Sequence, residues 1–307
     1  MRVDIIEVDN KKFKIKLVAI FIITLLLIAL FSLLGIYCAQ KYKTNYIISK
    51  KQNIIENTVQ SIIEQDENKI NIENKIQEEP ENEANIEKDN KVNNIDKINN
   101  IYNKETKIAY LTFDDGPSQA VTPLILDVLK EENIKATFFV LGTNVKQNSE
   151  ILRREYQEGH YIANHGYTHN YSKIYKNSDT VLEEYNKTEK AIQEAIGNEE
   201  YSSNLFRFPG GYTGGKYATI KKKAGELLKE NNIAYIDWNV LTKDAEGANT
   251  KEKILSNLKK YSKDKGNIVV LMHDASSKIL TYETLKDVIN YLKEQGYTFD
   301  NFYSIMQ

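Results

Sequence analysis

Residues 108–117, IAYLTFDDGP, decide the fold of the globular part of this chain. The first six residues are largely apolar and predict a buried β-strand, and Asp114 and Asp115 follow directly at its end. A Gly-Pro pair then turns the chain away and leaves both carboxylates open. Taken alone, the stretch could also be an ordinary loop turn. In α/β folds, however, the carboxyl ends of strands carry the functional site, so these two acids are candidate site residues.

The pattern of apolar strand and amphipathic helix repeats downstream of this stretch. Predicted strands are Ile108–Phe113, Ala136–Leu141, Tyr161–Asn164, Leu205–Phe208, Ala234–Val240, Asn267–Met272 and a short piece near Tyr297. Apolar residues at helical spacing predict helices at Val121–Glu132 and at Tyr282–Gln295, the second ended by Gly296. This alternation predicts an α/β fold with a parallel sheet, and about seven units suit a small, incomplete (β/α) barrel.

The first 105 residues differ in composition from the rest. Residues 17–39, LVAIFIITLLLIALFSLLGIYCA, carry no charge and are long enough to cross a bilayer, which predicts a transmembrane anchor after a short cytoplasmic tail, residues 1–16. A cleaved signal peptide is the alternative. Residues 40–105, rich in Asn, Glu, Lys and Ile, predict a flexible or partly helical spacer. The globular domain, residues 106–307, is then expected outside the cell on a single-pass anchor.

Charge and cysteine content limit the classes of partner and of cross-link. The 41 basic and 43 acidic side chains give a formal net charge of -2, so nothing suggests nucleic acid as a partner. The one cysteine, Cys38, excludes a disulfide within the chain. The oligomeric state is not indicated by the sequence.

A pair of candidate metal ligands lies in residues 165–169, HGYTH. Two imidazoles four residues apart, His165 and His169, can converge on one ion. Gly166 stands where a His-Glu-x-x-His metalloprotease has Glu, which argues against that class. Hydrogen-bonded structural histidines are the alternative. His160 stands alone and is predicted to be structural.

Three further clusters follow later strands. Arg207 lies in FRFPGG, residues 206–211, on a strand before a turn that exposes backbone N–H groups. Asp244 follows the strand that carries Trp238, and His273 ends an apolar strand. A buried structural Arg and a hydrogen-bonded structural His are the alternatives for two of these clusters.

In this order the five clusters resemble the polysaccharide deacetylases of the NodB-homology type, carbohydrate esterase family four, over residues 106–307. The motif Thr-Phe-Asp-Asp-Gly-Pro is highly specific to that family. The resemblance implies a distorted (β/α) barrel with about seven parallel strands and a metal-dependent hydrolase that removes N-acetyl groups from a polysaccharide. With the predicted anchor and spacer, peptidoglycan N-acetylglucosamine is the favoured substrate.

The resemblance also implies roles for single residues. Asp115, His165 and His169 would hold one divalent ion, most often zinc, with cobalt or another divalent ion as the alternative, and positions would be left open for water and substrate. Asp114 would be the general base. Arg207 would orient Asp114 and keep it ionised, because a nearby cation lowers the pKa of a carboxylate.

On the opposite side of the site, His273 would be the general acid that protonates the departing amine. Asp244 would hold the other ring nitrogen and favour the charged imidazole. Leu271 would line the pocket for the acetyl methyl group, and the Gly210 N–H would face the oxyanion. The implied substrate-binding residues are Pro209, Gly210, Trp238 and Leu271.

Departures from the family pattern leave the choice of glycan open. Gly166 replaces the usual Ser or Thr, Gly210 replaces an aromatic residue of many members, and Ala245 replaces a frequent Trp. Chitin oligomers, an exopolysaccharide or acetylated xylan are therefore alternative substrates. A non-catalytic wall-binding module on the same fold is the alternative to an enzyme, although all three implied metal ligands are present.

Overall fold

A curled sheet of parallel strands lies at the centre of the computed structural model, which describes residues 94–103 and 105–306. The strands are β1 (Ile108–Asp114), β2 (Thr137–Val140), β3 (Tyr161–Asn164), β4 (Leu205–Phe206), β5 (Ala234–Tyr235), β6 (Val240–Leu241), β7 (Ile268–His273) and β8 (Thr298–Asp300). Seven of them run in the order β5-β4-β3-β2-β1-β7-β6, and β8 pairs with the first residues of β1. The result is a half-barrel, consistent with the predicted distorted (β/α) barrel.

Helices connect all successive strands except β5 and β6, since neighbouring parallel strands need a crossover connection. They are α1 (Asn94–Asn99), a 3-10 helix (Ile101–Asn103), α2 (Thr122–Glu131), α3 (Gly142–Gln147), α4 (Ser149–Gln157), α5 (Tyr171–Ile174), α6 (Ser178–Ile196), α7 (Ala218–Glu230), α8 (Lys251–Ser262), α9 (Ile279–Glu294) and α10 (Tyr303–Met306). The helices predicted at Val121–Glu132 and Tyr282–Gln295 are confirmed as α2 and α9, with ends displaced by one to three residues.

The sheet buries apolar side chains on both faces, because alternate residues of each strand point to opposite sides. In β7, Val270 and Met272 join a cluster shared with α2, α8 and α9. Val269, the residue before Val270, joins an inner cluster on the other face, which also contains Tyr110 and Phe302. Polar residues of the site are therefore confined to the strand ends.

Three isoleucines upstream of the predicted domain boundary belong to this inner cluster. Ile95 and Ile98 of α1 and Ile101 of the 3-10 helix are buried there. The packed part of the chain thus begins within the segment that the sequence assigns to the spacer. The predicted cytoplasmic tail, the anchor and the spacer up to residue 93 lie outside the described residues.

The predicted localisation requires a correction. Within residues 94–103 and 105–306, no helix is long and apolar enough to cross a membrane, which contradicts the prediction of a single-pass membrane protein with an extracellular domain. The segment on which that prediction rested, residues 17–39, is not among the described residues.

One predicted strand is in fact two. The apolar run Ala234–Val240 contains β5 and β6, which form opposite edges of the sheet rather than one strand. Between them the chain crosses the open side of the half-barrel, where the Ile236 carbonyl accepts a hydrogen bond from Arg207 and the Asn239 N–H donates to Val269. A local apolar pattern cannot distinguish one strand from two that pair with different neighbours.

Candidate metal centre and active site

Neighbouring strand ends bring the predicted site residues together. Asp114 at the end of β1 and His273 at the end of β7 are register partners on adjacent strands. His165 and Arg207 directly follow the paired strands β3 and β4. The four side chains therefore meet at one edge of the curled sheet, where parallel strands place their carboxyl ends.

Asp115, His165 and His169 form a compact group of candidate ligands. One ligand atom from each lies within 4.8 Å of the others. The Nε2 atoms of His165 and His169 are 3.6 and 3.4 Å from Asp115 Oδ1. Asp115 Oδ1 is buried and has no hydrogen-bond partner among the described residues. Because buried polar oxygens are normally satisfied, this atom is the strongest local indication that a cation binds here.

Two of these three residues have an unusual backbone. Asp115 has φ of 76° and His169 has φ of 53°, both in the left-handed region that residues with a side chain rarely adopt. Such conformations persist only where the surrounding structure enforces them, and they concentrate at functional sites. The backbone is thus held in the form that turns both side chains toward His165.

A buried acid of α6 fixes the loop between the two histidines. Glu184 accepts hydrogen bonds from the N–H groups of Tyr167 and Thr168, each at 2.9 Å, and from the Thr168 hydroxyl at 2.7 Å. The side chain of Asn164 accepts the N–H of Gly166 at 2.9 Å. Neither Glu184 nor Asn164 was among the predicted site residues. The only available sequence signal is a polar residue on the apolar face of a helix or at a strand end.

The backbone of Arg207 sets the orientation of His165. His165 Nδ1 lies 2.8 Å from the Arg207 carbonyl oxygen, which can only accept a hydrogen bond. The proton is therefore on Nδ1, and Nε2 faces Asp115 with a free lone pair. Burial lowers the pKa of His165 to about 3, so the ring stays neutral, as a metal ligand must.

The Arg207 side chain holds Asp114. Arg207 is fully buried, and its Nη1 donates to Asp114 Oδ1 at 2.8 Å and to the Thr112 hydroxyl at 2.7 Å. The guanidinium also donates to the carbonyls of Ile236 and Asp237, both at 3.2 Å. Burial raises the pKa of Asp114 above its ordinary value, although the charge of Arg207 lowers it. The predicted effect of Arg207 is present, but burial outweighs it.

His273 and Asp244 form a second charged pair. His273 Nδ1 lies 2.9 Å from Asp244 Oδ1, and Asp244 Oδ2 accepts the His273 backbone N–H and the Thr281 hydroxyl, both at 2.8 Å. Burial alone would lower the pKa of His273, but the hydrogen bond and charge of Asp244 outweigh it and raise the pKa to about 9. His273 is therefore an imidazolium at neutral pH, with Nε2–H available as a proton donor.

The predicted substrate-binding residues lie around this group with different exposure. Leu271 is buried and, two residues before His273, points to the same side of β7. Gly210 is exposed, and its N–H makes no hydrogen bond within the described part of the chain. Trp238 is half-buried, with its ring 5.7 Å from the Arg207 guanidinium carbon. The Pro209 carbonyl accepts a hydrogen bond from Tyr175 at 2.7 Å.

The donor set fits one divalent ion. Two imidazole nitrogens and one carboxylate oxygen are a set that catalytic zinc sites use, with further positions left for water and substrate. Two observations agree with that use. Asp115 Oδ1 has no hydrogen-bond partner among the described residues, and the Nδ1–H of His165 donates to a carbonyl, which leaves Nε2 free to bind the ion. The candidate triad of the sequence analysis is therefore brought together as a possible metal site.

Known proteins are similar to this chain in both sequence and fold. A family model described as polysaccharide deacetylase matches residues 101–227. A peptidoglycan-N-acetylglucosamine deacetylase of Bacillus cereus is 36% identical over 205 residues, which cover 65% of this chain and 71% of that protein. The chain belongs to the polysaccharide deacetylase family. The resemblance stated from the five motifs is thereby confirmed.

Other members of the polysaccharide deacetylase family support the same assignment. A peptidoglycan-N-acetylmuramic acid deacetylase of Bacillus subtilis is 30% identical over 205 residues, 66% of this chain and 73% of that protein. The solved structure of a Streptococcus mutans CE4 esterase superposes with a TM-score of 0.62 at 33% identity, covering 67% of this chain and 90% of that one. The relatives differ in the sugar that their names specify.

Proposed function

We propose that this chain is a metal-dependent hydrolase that removes N-acetyl groups from a hexosamine polysaccharide, with peptidoglycan N-acetylglucosamine as the favoured substrate. One observation carries the proposal: the carboxylate of Asp114 and the Asp244-bound imidazole of His273 lie on adjacent strand ends beside the candidate metal triad. Amide hydrolysis requires such a base and such an acid. The names of the relatives support the glycan, and the catalytic domain in this proposal extends from residue 106 to the C-terminus.

Asp115, His165 and His169 are the residues that would hold the ion, which we propose to be zinc. When bound there, the ion would polarise the amide carbonyl and lower the pKa of water. His165 contributes a neutral ring because burial lowers its pKa and the Arg207 carbonyl fixes its tautomer. Asp115 contributes the buried oxygen that has no hydrogen-bond partner within residues 94–103 and 105–306.

In the proposed reaction Asp114 accepts one proton from the attacking water as its oxygen bonds to the acetyl carbon. Arg207, bound to Oδ1 of this carboxylate, leaves Oδ2 to receive that proton. The negative charge that develops on the carbonyl oxygen accepts a hydrogen bond from the free Gly210 N–H. His273 then gives its Nε2 proton to the nitrogen as the carbon–nitrogen bond breaks, which yields acetate and a free amine.

The remaining predicted residues shape the acetyl pocket in this proposal. Leu271 offers an apolar wall two residues before the acid His273. Pro209 and Gly210 supply the turn whose backbone faces the oxyanion, and Trp238 forms an aromatic boundary beside Arg207. Substitution of any of these residues should change substrate binding rather than metal content.

Acetate release from purified peptidoglycan by the zinc-loaded full chain tests the proposed function. Asp114→Asn is the control, because the two residues have almost the same shape but Asn cannot accept the proton. Mass spectrometry of the wall fragments identifies the sugar that loses its acetyl group. Equal release by Asp114→Asn would exclude the mechanism, and acetate from xylan or chitin alone would redirect the substrate assignment.

A further inference from the structure

The turn that carries the oxyanion N–H is covered by two aromatic side chains. Gly210 has φ of 73°, and a Cβ built on it would lie 2.5 Å from the hydroxyl oxygen of Tyr171 and 3.1 Å from the adjacent ring carbon. A Cβ built on Gly211 would lie 3.3 Å from Trp238. Residue 210 must therefore be Gly as long as Tyr171 keeps its position, because no side chain fits between them.

Tyr171 lies beside the candidate metal centre and contacts three other aromatic rings. Its ring centroid is 5.4 Å from that of the candidate ligand His169, 5.8 Å from Tyr175 and 6.5 Å from Tyr217. It is nevertheless 40% exposed. A single exposed aromatic residue needs no explanation by itself. This one combines exposure with ring contacts beside the candidate metal centre, and it occupies the volume that a side chain at 210 would fill.

We propose that the ring of Tyr171 binds the apolar face of the hexosamine whose acetyl group enters the metal centre, an inference that rests on the proposed function. A pyranose ring presents C–H groups on one face, and tyrosine offers a flat apolar surface with a polar tip. Tyrosine also loses little conformational freedom on binding, because only two side-chain torsions are fixed. The aromatic surface that residue 210 lacks would thus come from α5.

The location of Tyr171 fits a sugar outside the acetyl pocket. The acetyl group must reach the candidate ligands, whereas the sugar ring is too large to follow and has to rest at the rim. Tyr171 lies at that rim, in contact with the ring of His169 and with the turn at Gly210. A small acetyl ester without a sugar would enter the same pocket and leave the Tyr171 ring uncovered.

Two substrates, one with a sugar and one without, distinguish sugar binding by Tyr171 from support of the metal site by Tyr171. For zinc-loaded full-length protein, kcat/KM is measured for a chitopentaose, which carries the hexosamine, and for 4-nitrophenyl acetate, which does not. We expect Tyr171→Leu, which keeps apolar volume but loses the flat ring, to lower the ratio of glycan to ester kcat/KM about tenfold, through KM of the glycan. Tyr171→Phe keeps the ring and should change this ratio less than about twofold.

Tyr291→Leu is the matched control. Tyr291 lies near the end of α9, away from the strand ends that carry the site, and it contacts Lys259. Its substitution tests for a general loss of stability and should leave the ratio unchanged. Equal losses of glycan and ester activity in Tyr171→Leu, or a ratio unchanged in that variant, would overturn the inference. So would a Tyr171→Phe variant as impaired as Tyr171→Leu.

Binding without turnover separates failure of this inference from failure of the proposed function. In the Asp114→Asn background, calorimetry with chitopentaose reports binding even if the wild type releases no acetate. Weaker binding after adding Tyr171→Leu supports the sugar contact regardless of the reaction. Unchanged binding, or none in either protein, rejects it. Absence of acetate release by the wild type, with chitopentaose bound, rejects only the proposed function.

Discussion

Replacing Asp244 by Asn should lower the pKa of His273 and move the basic limb of the pH–rate profile to lower pH. Burial alone lowers the pKa of His273, but the contacts with Asp244 hold it at about 9, against 6.5 for the ordinary side chain. The charges of Asp114 and Asp115 act in the same direction as Asp244. At about 1.4 kcal/mol for each pH unit, the net difference favours the imidazolium by about 3 kcal/mol.

The geometry of the pair shows why an amide cannot replace the carboxylate. Asp244 Oδ2 accepts hydrogen bonds from the His273 N–H and the Thr281 hydroxyl, so the oxygen of an Asn would have to take that position. Its NH2 group would then face His273 Nδ1, which must become an acceptor. The substitution therefore favours a neutral ring protonated at Nε2, and burial then holds the pKa of His273 at or below about 6.5.

The expected effect depends strongly on pH. With a pKa of about 9, about 0.9 of His273 is protonated at pH 8. With a pKa of about 6.5 the fraction is about 0.03, so activity at pH 8 falls about 30-fold, whereas the same change costs less than about twofold at pH 6. The sign follows because the acid must carry its proton to be active, and activity is lost as pH rises through its pKa.

The assay is kcat/KM for acetate release between pH 5 and 10 by zinc-loaded wild type and Asp244→Asn. A bound divalent ion lowers the pKa of His273 in both proteins, so the displacement between the two curves is the quantity of interest. Thr281→Val, which removes one hydrogen bond but no charge, should displace the curve much less. A curve for Asp244→Asn that is lower at every pH but not displaced would refute the reasoning, because Asp244 would then only position the ring.

Three further predictions test other parts of the structure. Glu155 is fully buried, and neither of its carboxylate oxygens has a hydrogen-bond partner in the described part of the chain. Burial and the charge of Asp274 raise its pKa, so the protonated form that stabilises the fold is lost as pH rises. Glu155→Gln should therefore gain stability relative to wild type between pH 5 and 8 in urea titrations, and a gain independent of pH would contradict this. Gly116→Ala should lower the free energy of unfolding by about 2–4 kcal/mol, because the new Cβ would overlap the Asp274 carboxylate. Gly197→Ala is the control: this residue has a positive φ but open space around it, so the cost should be about 1 kcal/mol. Equal costs for the two variants would contradict the packing argument. Arg207→Lys should lower the free energy of unfolding by about 2–3 kcal/mol in the same titration. The reason is that one ammonium group cannot reach a carboxylate, a hydroxyl and two carbonyls together. An unchanged urea midpoint would argue against this network.

The sequence predicts the site better than it predicts the sheet. Asp114, His165 and His273 each end or follow a local apolar run, and the carboxyl ends of parallel strands share one edge, so their meeting follows from local patterns. The pairing of strands depends on the whole chain. For that reason the run Ala234–Val240 was predicted as one strand although it supplies two edges.

Local sequence patterns also do not predict the effects of burial and of contacts between residues far apart in the chain. The charge of Arg207 predicts a lowered pKa for Asp114, but the net direction is upward because the fold removes this carboxylate from water. Glu184 supports the histidine loop from a distant helix. Tyr171 and Gly210 are brought together only by the tertiary structure, and neither residue alone indicates the other.

The two edges of the half-barrel have a consequence for self-association. An open sheet normally offers unpaired N–H and C=O groups on which a strand of another chain can grow. Here β5 and β6 contain two residues each. Beside β7, the Asn239 side chain accepts the N–H of Val269 and donates to the carbonyl of Asn267, as a neighbouring strand would. The sheet can thus stay open toward its substrate without providing a template for aggregation.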